Sequence, residues 1–219
     1  MKFLLIALAL LFVGLLLSPG LISGANGTTN KDSTGAAERP FIIFEASHPE
    51  DFPSPGPVGE VIMKDYPPYR AARVADEDIR QNSMFRTLFK HIKRNEIAMT
   101  APVQMTYDDE GPTSMAFLYG NRGIGETGKH DDVHVLDFPA EKVVSVGVRG
   151  NFDTATFKSH RRLLEEWLEQ NSDRWVAAGE PRYFGFNSPF VPGLLRYGEV
   201  QIPVKEVARA ELPEAKDRS

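Results

Sequence analysis

The stretch Val61-Ile62-Met63-Lys64-Asp65-Tyr66-Pro67 returns in outline 72 residues later as Val133-His134-Val135-Leu136-Asp137-Phe138-Pro139. Apolar side chains recur at alternate positions in both, the two-residue period of a half-buried strand, and an Asp-aromatic-Pro sequence then breaks each strand. The same shift sets Ala71, Ala72 and Val74 on Val143, Val144 and Val146, and Phe85 on Phe157. One ungapped register running through strand, turn, second strand and the first apolar residue of a helix reads as a tandem duplication of one supersecondary unit.

Outward from that register, each unit parses alike. Gly59 to Asp65 and Tyr69 to Val74 form a hairpin across Tyr66-Pro67-Pro68. Asp76 to Arg94 is helical, with Phe85, Leu88, Phe89 and Ile92 at i, i+3, i+4 and i+7 facing the core. Strands at 97–107 and 114–119 complete the first half. The second half has strands at 132–138 and 142–149, a helix from Thr154 to Gln170 burying Phe157, Leu164, Trp167 and Leu168, and strands near 181–186 and 199–204. The expected fold is therefore α+β, a ββαββ unit used twice, giving eight mainly antiparallel strands in a barrel-like sheet with two helices. Gly120 to Gly128, dense in glycine, joins the halves, which span about residues 58–120 and 130–206.

Both ends of the chain differ from this domain. Lys2 precedes an unbroken apolar run from Phe3 to Leu17, then the helix-breaking Ser18-Pro19-Gly20 and the small-residue sequence Ser23-Gly24-Ala25. This is the anatomy of a secretory signal over residues 1–25. Two fates are open: cleavage, giving a secreted or periplasmic protein, or retention as an N-terminal membrane anchor. Residues 26–57 read as a flexible linker and lead-in, in which Phe41 to Phe44 form a short strand or a surface clamp. A charged tail covers 207–219.

Composition excludes several functions. The chain has no cysteine, so thiolate catalysis, thiolate heme ligation and iron–sulfur clusters are absent. A net charge of -5 argues against general nucleic-acid binding. No metalloprotease, P-loop, nucleophile-elbow or dinucleotide-binding motif occurs. His130, Asp132 and His134 share a strand face, but they straddle a loop end, and no metal is assigned to them.

Three local sequences narrow the family: Asp65-Tyr66-Pro67-Pro68-Tyr69-Arg70; Phe85-Arg86-x-Leu88-Phe89-x-x-Ile92 with Ile97-Ala98-Met99-Thr100-Ala101-Pro102-Val103; and Gly185-Phe186-Asn187-Ser188-Pro189-Phe190 leading to Arg196-x-Gly198-Glu199-Val200. In this order, over roughly residues 58–205, the chain resembles the SOUL heme-binding proteins. The resemblance implies a duplicated ββαββ domain of the GyrI-like effector-binding fold. It also implies binding of heme or another tetrapyrrole beside the first helix and a late loop, here Asn187 to Tyr197. The chain departs from the family in its export signal and in having Gly198 where many members have Asn.

On the first helix, Met84, Leu88 and His91 form a stripe that offers a flat apolar wall to such a ligand. Phe190 and Val191 supply an apolar loop opposite, and Arg80 and Arg196 supply cations for propionates. His91 is the candidate axial ligand. The expected function is noncatalytic binding of heme, a cofactor the fold does not need in order to form, with no nucleic-acid partner and no membrane contact beyond the N-terminal segment. Two alternatives stay open: a GyrI-like small-molecule hydrolase using Glu199 with Tyr183 or Tyr119, and an effector-binding module for another lipophilic ligand.

Overall fold

The computed structural model describes residues 40–75 and 81–207. The expected export signal over residues 1–25, residues 26–39, Asp76 to Arg80 and the tail from Ala208 onward lie outside the described residues. The first half contributes β1 (Val61–Tyr66), β2 (Tyr69–Ala75), α1 (Gln81–Arg94), β3 (Val103–Tyr107) and β4 (Pro112–Leu118). The second contributes β5 (Gly128–His130), β6 (Val133–Phe138), β7 (Glu141–Arg149), α2 (Thr154–Gln170), β8 (Trp175–Ala177), β9 (Arg182–Gly185) and β10 (Tyr197–Glu206). All ten strands join one antiparallel, barrel-like but open sheet, in the order β1-β7-β10-β9-β3-β4-β2-β6-β5, with β8 paired to β10. The two strands beyond the expected eight are the short β5 and β8, three residues each and too brief to show a period in the sequence.

The opening hairpin does not form. β1 pairs with β7, and β2 pairs with β4 and β6. Residues 61–73 and 134–146 instead run antiparallel in one continuous register, with Tyr66 opposite Glu141 and Tyr69 opposite Phe138. The physical cause is Pro67-Pro68. Two consecutive prolines fix φ and supply no N–H to close a tight turn, so the chain bends and continues instead of folding back. The strands near 61 and 133 thus take equivalent places, each paired with the other half's second strand, and β9 meets β3 at the middle of the order.

Strand alternation divides the sheet into two faces. On one, Val144, Val146 and Val148 of β7 and Val200, Ile202 and Val204 of β10 meet the helices in the main core. α2 begins at Asp153, whose Oδ1 accepts from Thr156 N at 2.8 Å, and buries Phe157 and Leu164 fully. α1 buries Met84, Leu88, His91 and Ile92. On the other face, Tyr66, Val143, Phe184 and Tyr197 cluster with Ile42, and Tyr69, Ala71 and Leu118 pack with Phe52.

Ile42 and Phe52 belong to the expected flexible lead-in, which from Pro40 onward is a strap across this second face. Ser47 pairs with Thr100 and Val58 with Gly147, and Glu50 N donates to Gly120 O at 2.8 Å. Ile42 and Phe52 are the reason: once they sit on the sheet, the backbone between them is tethered at both ends, and Pro53, Pro55 and Pro57 stiffen the stretch that follows.

Candidate functional site

A cleft of about 540 Å³ opens on the helix-bearing side of the sheet, where the two halves meet. Its floor is Val103 and Met105 of β3, Met115 of β4, and Tyr183 and Gly185 of β9. Phe85 and Phe89 of α1 form one wall. Phe152, Phe186, Ser188, Pro189 and Arg196 form the other, and Glu45 to Ser47 of the strap close the rim with Met99 to Ala101. The Phe85 and Phe89 rings lie 6.0 Å apart and 12° from parallel, and Phe152 stacks on Tyr183 at 11°. Gly198 makes the second stack possible: a Cβ there would come within 2.1 Å of the Tyr183 hydroxyl. The family's more usual Asn cannot occupy this position while Tyr183 keeps its place.

The helix faces are assigned the other way round from the sequence expectation. Met84 and Leu88, expected as an open wall, have no exposed surface, whereas Phe85 and Phe89, expected in the core, are 37% and 42% exposed. Both candidate stripes share Leu88; they differ by roughly a quarter turn of helix. The narrow side of α1 fits under the sheet's crowded aromatics, and Phe85 reaches Phe117 only edge-on, at 5.1 Å.

His91 is also turned inward. Its Nε2 is 2.9 Å from the Tyr119 hydroxyl, and burial with the neighbouring His130 and Arg94 holds its pKa below the ordinary value. Among the described residues no histidine lines the cleft. Of the loop residues, Val191 is buried, Phe190 is 94% exposed and outside the cleft, and Arg196 lines it. The Arg196 guanidinium holds the Val191 and Pro189 carbonyls at 2.8 and 2.6 Å, so it braces the late loop while facing the cleft. Arg80 lies outside the described residues. The residues that the sequence did not flag are Met105, Met115 and Phe152, whose apolar character gives no hint of which sheet gap they would border.

Glu199 sits on the opposite face, fully buried. Lys64 Nζ is 2.8 Å from both carboxylate oxygens, and Gly56 N, Tyr197 Oη, Ser145 Oγ and Gln201 Nε2 also donate to it. Burial pushes the carboxyl up, but the Lys64 charge and these donors outweigh it and leave the pKa below the usual carboxylate range. Burial likewise pulls Lys64 below its ordinary value. Neither Tyr183 nor Tyr119 is Glu199's partner: Tyr183 points to the helix side and Tyr119 binds His91. Among the described residues no three His, Cys, Asp or Glu side chains are placed to hold a metal ion.

A curved antiparallel sheet under two helices, with an aromatic cleft at the junction of its halves, defines the class: an α+β domain with a ligand-sized cleft between helix and sheet. The chain belongs to the SOUL heme-binding protein family, whose model matches residues 59–203. Its fold is similar to that of the EcmrR C-terminal domain, at 16% identity and a TM-score of 0.53 over 68% of this chain and 98% of that one. It is also similar to an uncharacterized conserved protein from Listeria innocua, at 12% identity and a TM-score of 0.51 over 68% and 94% of the two chains. At these identities the likeness shows the fold alone. No curated protein matches the sequence.

Proposed function

We propose that this protein binds heme or a related tetrapyrrole in the cleft, without catalysis, as a carrier or buffer outside the cytoplasm. The observation that carries the proposal is the cleft itself: about 540 Å³ lined by aromatic rings and methionines, open to solvent and within the usual size of small-molecule sites. A planar apolar ring buries both its faces only between walls of this kind, and Phe85 with Phe89 offers one such wall. Bound heme would supply the iron. The side chains able to approach it are the thioethers of Met99, Met105 and Met115, since His91 faces the core. Among the described residues Arg196 is the cation that lines the cleft, and it suits a propionate. The export sequence at residues 1–25 supports placement outside the cytoplasm, and N-terminal sequencing of the expressed protein tests it: a chain starting at Asn26 is expected.

The lack of histidine in the cleft favours a second occupant, an iron-free lipophilic ring. Parallel titrations with hemin and protoporphyrin IX separate the two. Saturable hemin binding at one equivalent, seen as a Soret shift and lost in Phe85→Asp with Phe89→Asp, is expected for heme. Equal affinity for both rings assigns the site to the macrocycle alone, and hemin binding that survives both substitutions places it outside the cleft.

A further inference from the structure

The late loop carries apolar side chains that nothing in the described fold covers. Phe190 is 94% exposed and Leu194, on the single 3-10 turn Gly193–Leu195, is 85% exposed. Phe41 and Phe44 of the strap are exposed beside them, because the Arg149 guanidinium donates to both the Phe41 and the Leu195 carbonyls. The tips stand on a braced frame. Arg196 grips the Val191 and Pro189 carbonyls, Asn187 Nδ2 donates to Ile43 O at 2.6 Å, and Glu45 takes the Ser188 N–H and hydroxyl, each at 2.7 Å. Holding large apolar groups rigidly in water is costly, and exposed patches of this kind mark interaction surfaces.

We propose that this patch seats the domain on the interface of an anionic lipid bilayer. Charge favours a lipid surface. The chain as a whole carries -5, yet residues 188–197 contain no acidic side chain, and beside the tips Arg149 and Arg196 outnumber Glu45, whose carboxylate already accepts from Ser188. Separate protruding Phe and Leu tips with arginines behind them fit a fluid interface, where rings enter the headgroup boundary and cations meet phosphates. Two copies meeting at this patch would bring their own Arg149 and Arg196 charges together, whereas lipid phosphates neutralise them. The proposal is independent of what the cleft binds.

The chain's lack of cysteine gives a direct test, since Phe190→Cys, Leu194→Cys or Lys129→Cys each creates a unique site for a nitroxide label. The full chain is mixed with vesicles of phosphatidylcholine and phosphatidylglycerol, and spin relaxation by oxygen and by a water-soluble nickel chelate is compared. Oxygen accessibility rising several-fold over nickel accessibility at 190 and 194, but not at 129 on the far edge strand β5, is the expected result. A label at 190 that stays nickel-accessible on vesicle-bound protein overturns the proposal, as does failure to bind vesicles. Spectral broadening at 190 that grows with protein concentration without lipid assigns the patch to a second copy instead.

Discussion

Replacing Lys64 by Met removes the counter-ion of a carboxylate that has no exposed surface. Glu199 then keeps only the donors Gly56 N, Tyr197 Oη, Ser145 Oγ and Gln201 Nε2. Breaking a buried ion pair from one side costs about 3–5 kcal/mol, because the abandoned charge stays desolvated, and these donors set the expectation near the lower end, about 3 kcal/mol at pH 7. For a domain of this size that corresponds to a fall of about 6–12 °C in Tm. In the native protein the Glu199 pKa is depressed below its ordinary 4.5, so its stabilisation is present above that value and is lost as pH falls through the folded pKa. In Lys64→Met the sign reverses. Burial now raises the carboxyl, the folded state takes a proton more readily than the unfolded one, and the variant gains stability on acidification. The gap between the two proteins should therefore narrow steadily from pH 7 towards pH 4, and Lys64→Met with Glu199→Gln should recover much of it. Urea unfolding followed by Trp167 and Trp175 fluorescence measures each difference. A gap under about 1 kcal/mol at pH 7, or one that does not change with pH, refutes the account.

Met84→Ala should cost about 2–5 kcal/mol in the same assay while leaving the hemin affinity of the folded fraction unchanged, because Met84 belongs to the core and not to the cleft. His91→Asn should leave the position of the hemin Soret band unaltered; a shifted band would show that the ring turns out to the ligand. Gly147→Ala should destabilise by about 1–3 kcal/mol, because a Cβ there would lie 2.3 Å from the Pro57 carbonyl oxygen. Limited proteolysis should then cut the strap within residues 40–58 before any other described segment. Gly198→Asn should push the Tyr183 ring off Phe152 and lower hemin affinity at least as much as it lowers stability.

Period and proline placement made most strands and both helices legible in the sequence. α2 runs from Thr154 to Gln170, where its apolar spacing says it should. Pairing was not legible to the same degree. A proline turn between two strands looks like a hairpin in sequence, and only the other half of the chain, 72 residues away, shows that each strand has a better partner there. The α1 error has a similar origin. Hydrophobicity ranks Phe above Met and His as a core residue, but burial is decided by which side of the helix the sheet can accept. Phe85 and Phe89 on that side would have met Phe117 and Tyr119 head-on. The late loop was recognisable as a special segment, though its most conspicuous residue, Phe190, points away from the cleft that the loop helps to build.

The cleft exists because two topologically equivalent halves are packed unequally. Phe157 of α2 is fully buried and stacks on Tyr107 at 4.6 Å, closing the second half's helix onto the sheet. Its counterpart by sequence, Phe85, stays at the surface beside Phe89, and Met84, Leu88 and His91 fill the space beneath α1. Ile92 and Leu164, two helical turns further along, are buried, one in each half, so the helices share an anchor and differ at their N-terminal turns. If that difference opens the site, the two positions should respond oppositely. Phe157→Ala should lower stability by about 3–5 kcal/mol, and Phe85→Ala by much less, since its ring is already in part solvated. Ligand affinity should follow the reverse order, falling for Phe85→Ala and holding for the folded fraction of Phe157→Ala. Equal stability losses at the two sites would mean that Phe85 is a core residue after all, and that the wall it forms is incidental to binding.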